Sequence, residues 1–347
     1  MTIMADARVH TMGVDTHKDV HVAAVLGPLG ELLGTGSFAN DTDGYVALLE
    51  WAKAFGPLGP AGVEGTGSWG ARLSRFLTAS DVSVIEVNRA DRATRRRVGK
   101  SDTTDAVAAA RAVLAGTATV TPKAGTGVVE ALRPVWIARR SAVRARTRTA
   151  NQIHGLVDTA PDVLARQWAK LEVPDLARYD FELGGDPADP VTGTVLAMDA
   201  LTRRWLHLDD QVTAFDDHLD VVTVRHAPRT RGAYGVGPIT CTALLVAAGD
   251  NPHRLRSEAA FASLCAACPI PASSGKTSRH RLNRAGNREA NWALWTIVMV
   301  RLSHDEPTKA YMQRRTKQGR STPEIMRCLK RYVARELYPH IIADLTH

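Results

Sequence analysis

The apolar positions change period along the chain, and the changes divide it. Val9–Val14 alternates toward Asp15, His21–Leu26 is a second short apolar run, and Gly27–Gly30 offers a turn into a third run, Glu31–Phe38. Short alternating or apolar runs bounded by turn residues predict three strands. Asn40–Asp43 supplies N-cap side chains to a helix through Tyr45, Leu48, Leu49 and Trp51. Pro60–Glu64 reads as a fourth strand entering a glycine-rich bend, Trp69–Leu77 as a helix and Val82–Val87 as a fifth strand. Ser101 then caps a helix running through Ala106 to Leu114. Strands followed by alternating helices and strands predict a mixed α/β domain over residues 8–118.

The period then lengthens. Val128–Asp158 predicts one long helix that carries Arg140, Arg144 and Arg148 on one face. Pro161, Pro174 and Gly184–Pro187 interrupt the pattern. A second long helix, acidic and amphipathic, is predicted over Val191–His226, with Leu196, Leu201, Leu206, Val212, Phe215 and Leu219 among its apolar positions. Two such helices around a broken middle predict a helical or coiled-coil arm over 125–226, with a plain helical linker as the alternative. Residues 227–347 predict a mostly helical domain: Gly235–Pro238 leads into a helix over Ile239–Gly249, and further helices cover Asn291–Leu302 and Pro323–Leu337.

Charge sharpens this division. The chain carries a net +8, but from His226 to His347 there are 19 Lys+Arg against 8 Asp+Glu. A basic excess confined to one third points to a polyanionic partner at that end, against the plainer reading of a solvated basic surface. The four cysteines, Cys241, Cys265, Cys268 and Cys328, are too few for a disulfide scaffold. With no recognisable signal peptide, the expected compartment is the cytoplasm. Cys265 and Cys268 make half of a zinc motif with no matching pair, so small buried core residues are expected instead. No apolar run approaches the ~18 residues of a membrane span.

The candidate chemistry lies in two places. Breaking a phosphodiester requires an activated oxygen and a stabilised leaving oxygen, which two divalent ions about 3.5–4 Å apart can provide. Asp15 ends the first predicted strand, and Glu64 ends the fourth, ahead of a glycine. Asp102 and Asp105 lie three apart at a helix start and share a face. Each has a plainer role in a turn or a helix dipole. Glu64 fits such a role least, because a carboxylate inside an apolar strand has little structural purpose.

The second place is Pro269–Lys276 with Thr277–Asn287. A serine before Gly275–Lys276, amid Arg279, Arg281 and Arg284, could attack phosphorus as an alkoxide or simply bind phosphate; on the residues alone the binding loop is favoured. Gly235-Val-Gly-Pro238 before an apolar helix is similar to the hairpin of helix-hairpin-helix DNA binders, or is a Gly-Pro turn into a buried helix.

Taken in order, Gly13-Val-Asp-Thr-His-Lys-Asp19, Gly62-Val-Glu-Gly-Thr-Gly67, Lys100-Ser-Asp-Thr-Thr-Asp-Ala106, Gly235-Val-Gly-Pro238, Phe261-Ala-Ser-Leu264, Ser274-Gly-Lys276 and Arg284-Ala-Gly-Asn287 resemble the DEDD-type insertion-sequence transposases, the serine-containing, bridge-RNA-guided recombinases. The likeness covers both ends of the chain and leaves the middle arm unassigned. It implies an N-terminal RNase H-like (RuvC-like) domain whose Asp15, Glu64, Asp102 and Asp105 hold Mg2+ or Mn2+. It also implies a C-terminal transposase domain whose Ser274, with Ser273 as the neighbouring alternative, bonds covalently to DNA. Ala266 stands where that family usually has glycine.

The partners implied are donor and target DNA, a structured noncoding RNA and further copies of the chain. Arg92, Arg95, Arg96, Arg97 and the Arg140, Arg144, Arg148 face are candidate RNA contacts, and Lys276, Arg279, Arg281 and Arg284 surround the serine. A site-specific recombinase follows. A junction nuclease using water as nucleophile and a non-catalytic nucleic-acid binder are the rivals, and a DNA invertase is a close variant of the first reading.

Overall fold

The computed structural model describes residues 9–88, 101–271 and 280–346. The chain divides into two compact units. One comprises residues 1–127 and 249–256, and the other 128–248 and 257–347.

The first unit is a five-stranded mixed sheet. Its strands are β1 (His10–Thr16), β2 (Val20–Leu26), β3 (Leu32–Ala39), β4 (Leu58–Glu64) and β5 (Val84–Val87), in the order β3-β2-β1-β4-β5. The first three form an antiparallel meander, and β4 and β5 add in parallel beyond β1. This arrangement is consistent with an RNase H-like domain. The boundaries lie within two residues of those read along the chain, and β1 runs on through Thr16. Asp15 is therefore the next-to-last residue of the strand rather than its last.

Alternation sorts the two faces. Met12, Val14, Ala23, Val25, Ala61 and Val63 join a core with Tyr45, Leu48, Leu73 and Leu77 from α1 (Thr42–Lys53) and α2 (Ala71–Ala79). Gly13 and Gly62, paired across β1 and β4, face the other way, toward α3 (Asp102–Leu114). Asp41 caps α1 through Gly44 N at 2.8 Å, and Ser101 caps α3 through Thr104 N at 3.2 Å, as its sequence position predicts. Asn251 and Arg254, on the returning segment, donate to the carbonyls of Pro122 and Thr121 at 2.9 and 2.8 Å. That return is invisible in the sequence pattern.

The second unit is helical. α4 (Val128–Thr159) and α7 (Pro190–His226) pack along one another. Arg139 bonds Asp216 and Arg146 bonds Asp209, so seven residues forward on α4 correspond to seven back on α7 and the helices run antiparallel. Toward the break between them, Ile153, Leu164, Trp168, Val173, Leu176 and Met198 form a separate core with α5 (Asp162–Trp168) and α6 (Val173–Leu176).

The short α8 (Pro228–Gly232) precedes α9 (Pro238–Ala248), which is buried along most of its length; α10 (Glu258–Leu264), α11 (Arg288–His304), α12 (Glu306–Lys317) and α13 (Thr322–Leu345) follow. A two-residue pairing of β6 (Ile270–Pro271) with β7 (His280–Arg281) completes the described part. The sequence pattern omits α8, α10 and α12 and stops α13 at Leu337. The helix continues past Pro339 because Ile341 beyond it is fully buried, and that anchoring offsets the lost backbone bond. Among the described residues, no helix is long and apolar enough to cross a membrane.

Candidate metal centre

Three elements meet at the ends of β1 and β4. Val14 pairs with Val63, and Asp15 and Glu64 are each the next residue on these parallel neighbours. Both therefore lie on the face of Gly13 and Gly62, and both residues are buried. The Thr16 hydroxyl donates to the Glu64 carbonyl at 3.0 Å and ties the two strand ends together. Gly65 then turns with φ +61°, a conformation suited to glycine.

The missing side chain of Gly13 lets α3 approach. A β-carbon there would lie 2.2 Å from both the Ala106 carbonyl oxygen and the Ala110 nitrogen. With the helix against the sheet, its first turn delivers Asp102 and Asp105 beside Asp15, near enough that both carboxylates act electrostatically on it. Asp105 is buried and Asp102 exposed, so the group opens to solvent on one side.

Asp15 carries the strain of this gathering. Burial pushes its carboxyl above the ordinary range. His17 pulls it back, and the charges of Asp105 and Asp102 raise it again. A buried carboxylate pressed by two others is a site that a cation relieves.

His17 adds a donor that residue spacing alone does not identify. Its Nε2 lies 3.1 Å from Asp15 Oδ2 and 3.4 Å from Asp102 Oδ1. Among the described residues, one donor atom from each of Asp15, His17 and Asp102 falls within 4.8 Å of the others, close enough to hold one ion. The sequence signal was an Asp and a His two apart at the end of a strand, which also reads as a turn. The turn is braced from behind. The buried His21, whose imidazole is held below its usual range by burial, accepts from His17 N at 3.3 Å and stacks on Tyr45.

The other candidates are placed unevenly. Ser273, Ser274, Lys276 and Arg279 lie outside the described residues, as do Arg92, Arg95, Arg96 and Arg97. Arg281 in β7 and Arg284 after it are exposed. Near them, Ala266 holds φ +53°, and a β-carbon on Gly286 would lie 2.4 Å from the Ala266 nitrogen. This is a left-handed position that glycine adopts without cost, a physical reason for glycine to be usual there.

On α4, Arg140 bonds Glu289 at 2.5 Å and lies over Trp136, whereas Arg144 and Arg148 are exposed. Gly235, at φ +78°, and Gly237 lead into the buried α9, with the Thr240 hydroxyl accepting from Gly237 N at 3.0 Å. Cys241 and Cys265 are buried thiols pushed up to about 12 by burial, which suits core residues better than metal ligands.

A mixed sheet with carboxylates at the ends of adjacent parallel strands and on a helix against them defines a DEDD nuclease-type domain. Family models agree: the DEDD transposase model of IS110 type matches residues 12–160, and the Transposase IS116/IS110/IS902 family model matches residues 231–313. The chain belongs to the IS110-type DEDD transposase family, whose members are mobile-element enzymes that cut and rejoin DNA. A search of curated proteins finds no match.

Proposed function

We propose that this transposase is a site-specific recombinase whose Ser274 joins DNA covalently, with Asp15, Glu64, Asp102 and Asp105 holding Mg2+ or Mn2+ at the cut phosphate. The observation that carries the reading is the approach of α3 over Gly13, which sets Asp102 and Asp105 beside Asp15 where the ends of β1 and β4 open to solvent. The donor set suits a hard divalent ion. Bound there, such an ion supplies Lewis-acid activation of oxygen and neutralises charge on the phosphate.

The chain's own residues do the rest. Ser274 Oγ forms a bond to the scissile phosphorus, the bond from phosphorus to the departing strand breaks, and the serine proton ends on the leaving hydroxyl. Lys276, Arg279, Arg281 and Arg284 stabilise the charge that develops on the phosphoryl oxygens. In the second half, a free hydroxyl of the exchanging strand attacks phosphorus and releases Ser274. The ester energy stays in the serine link, so no nucleotide cofactor is required, and the chain has no P-loop motif. The reading requires Ser274 and the carboxylates to reach one phosphate, within a chain or across a dimer or tetramer. Arg95, Arg96, Arg97, Arg144 and Arg148 are proposed contacts for a structured noncoding RNA that pairs with donor and target DNA in the cytoplasm.

End-labelled DNA run with the protein on a denaturing gel tests the chemistry. Wild type is expected to give a covalent protein–DNA band that Ser274→Ala abolishes and Ser273→Ala retains. A band that survives Ser274→Ala refutes that serine. Cleavage by wild type with no band at all selects the junction nuclease, in which water attacks.

A further inference from the structure

Beyond the four carboxylates, the site holds an imidazole. We infer that His17 is a nitrogen ligand of the ion held by Asp15 and Asp102, and that it shifts the site's preference from Mg2+ toward Mn2+. The inference rests on the metal-site reading above and adds to it a ligand and a selectivity.

The first argument is spacing. An octahedral ion with bonds of about 2.0–2.1 Å keeps neighbouring donor atoms about 3 Å apart. His17 Nε2 lies 3.1 Å from Asp15 Oδ2 and 3.4 Å from Asp102 Oδ1, so this one nitrogen is spaced as a neighbour to both oxygens. The three donors come from different elements. Asp15 lies in β1, His17 in the β1–β2 turn and Asp102 at the start of α3, and they converge on one point that Asp102 and His17 leave open to solvent.

The second argument is that the turn is built to hold this residue still. Both backbone polar groups of His17 are bonded to side chains from elsewhere in the domain. Its N–H donates to His21 Nδ1 at 3.3 Å, and its carbonyl accepts from Asn40 Nδ2 at 3.3 Å. Asn40 also donates to the Lys18 carbonyl at 2.8 Å, and the Tyr45 hydroxyl donates to Asn40 Oδ1. His21 and Tyr45 are themselves buried. An exposed turn residue with an ordinary solvated side chain has no need of such bracing, whereas a ligand held in place by a surrounding shell of bonds does.

The chemistry sets the selectivity. Carboxylate and water oxygens suit Mg2+, whereas an imidazole nitrogen adds more to the binding of a first-row transition ion.

Full-length wild-type protein loaded with Mn2+ tests the inference by electron spin-echo envelope modulation. A nitrogen bound to the ion is expected to give a strong 14N coupling that disappears in His17→Ala. Mn2+ affinity is expected to fall on the order of tenfold in that variant, and Mg2+ affinity by less. Asp15→Asn is expected to lose the bound ion and the coupling together. Mn2+ that binds wild type without 14N coupling, or coupling and affinity unchanged in His17→Ala, overturns the role of His17 and leaves the carboxylate site standing. Failure of wild type to take up Mn2+ at all overturns both.

Discussion

A β-carbon on Gly13 would lie 2.2 Å from the carbonyl oxygen of Ala106, so the first strand and the helix that follows the fifth meet with backbone against backbone. Asp15 is two residues along from Gly13, and Asp105 is one residue before Ala106. The close approach therefore makes the acidic cluster. Gly13→Ala must push the helix away or strain the strand, and overpacking of this kind costs about 1–3 kcal/mol. Urea unfolding is expected to show that loss, and Mn2+ titration of the folded variant is expected to show weaker binding. A variant as stable and as tight as wild type would mean that the contact does not set the site.

Asp15→Asn, Glu64→Gln, Asp102→Asn and Asp105→Asn are each expected to abolish DNA cleavage while leaving circular dichroism unchanged. EDTA is expected to do the same to wild type, with activity restored by added Mg2+ or Mn2+. Cleavage that persists in EDTA contradicts the metal mechanism.

Ala266 holds a left-handed backbone conformation, φ +53°. For an L-residue this costs about 1–2 kcal/mol, and glycine avoids most of it. Ala266→Gly is expected to raise the unfolding free energy by about 1 kcal/mol. A denaturant midpoint that moves down instead of up argues against strain at this position.

Lys330 is buried and donates to Asn291 Oδ1 at 3.0 Å, and Asn291 Nδ2 donates to the Cys265 carbonyl at 2.8 Å. Burial, helped by the charge of Arg327, holds the ammonium below its usual range. The folded protein therefore loses this proton before the unfolded chain does. Between the lowered folded value and the ordinary 10.5, the unfolded state binds more protons, so stability from this group rises with pH. The stability of wild type relative to Lys330→Met is expected to increase as pH climbs through that window and to level off above it. A difference flat with pH means that the lysine titrates normally.

Arg144 and Arg148 are exposed on α4, whereas Arg140 is engaged by Glu289 and Trp136. Replacing Arg144 or Arg148 with alanine is expected to weaken RNA binding and to lower the slope of log affinity against log salt by about 1 for each phosphate left without its arginine. Arg140→Ala is expected to lower thermal stability and leave that slope nearly unchanged. Filter binding across salt concentrations separates the two outcomes.

Much of this was legible along the chain. Short apolar runs between turn residues mark β1, β2 and β4 because strands inside a covered sheet bury residues on both faces, and the Ser101 cap marks the start of α3 because its hydroxyl satisfies an end N–H. These are local requirements, met within a few residues, so the sequence by itself determined which carboxylates stand at element ends. It did not determine which elements touch. The pairing of Gly13 with Gly62, the descent of Ala106 and Ala110 onto that stripe, the arrival of His17 between Asp15 and Asp102 and the capture of Arg140 by Glu289 depend on strand order and helix docking. Only the tertiary structure decided these, because each joins elements whose separate patterns are satisfied by any partner with a matching apolar face, and burial has no direction until backbones meet.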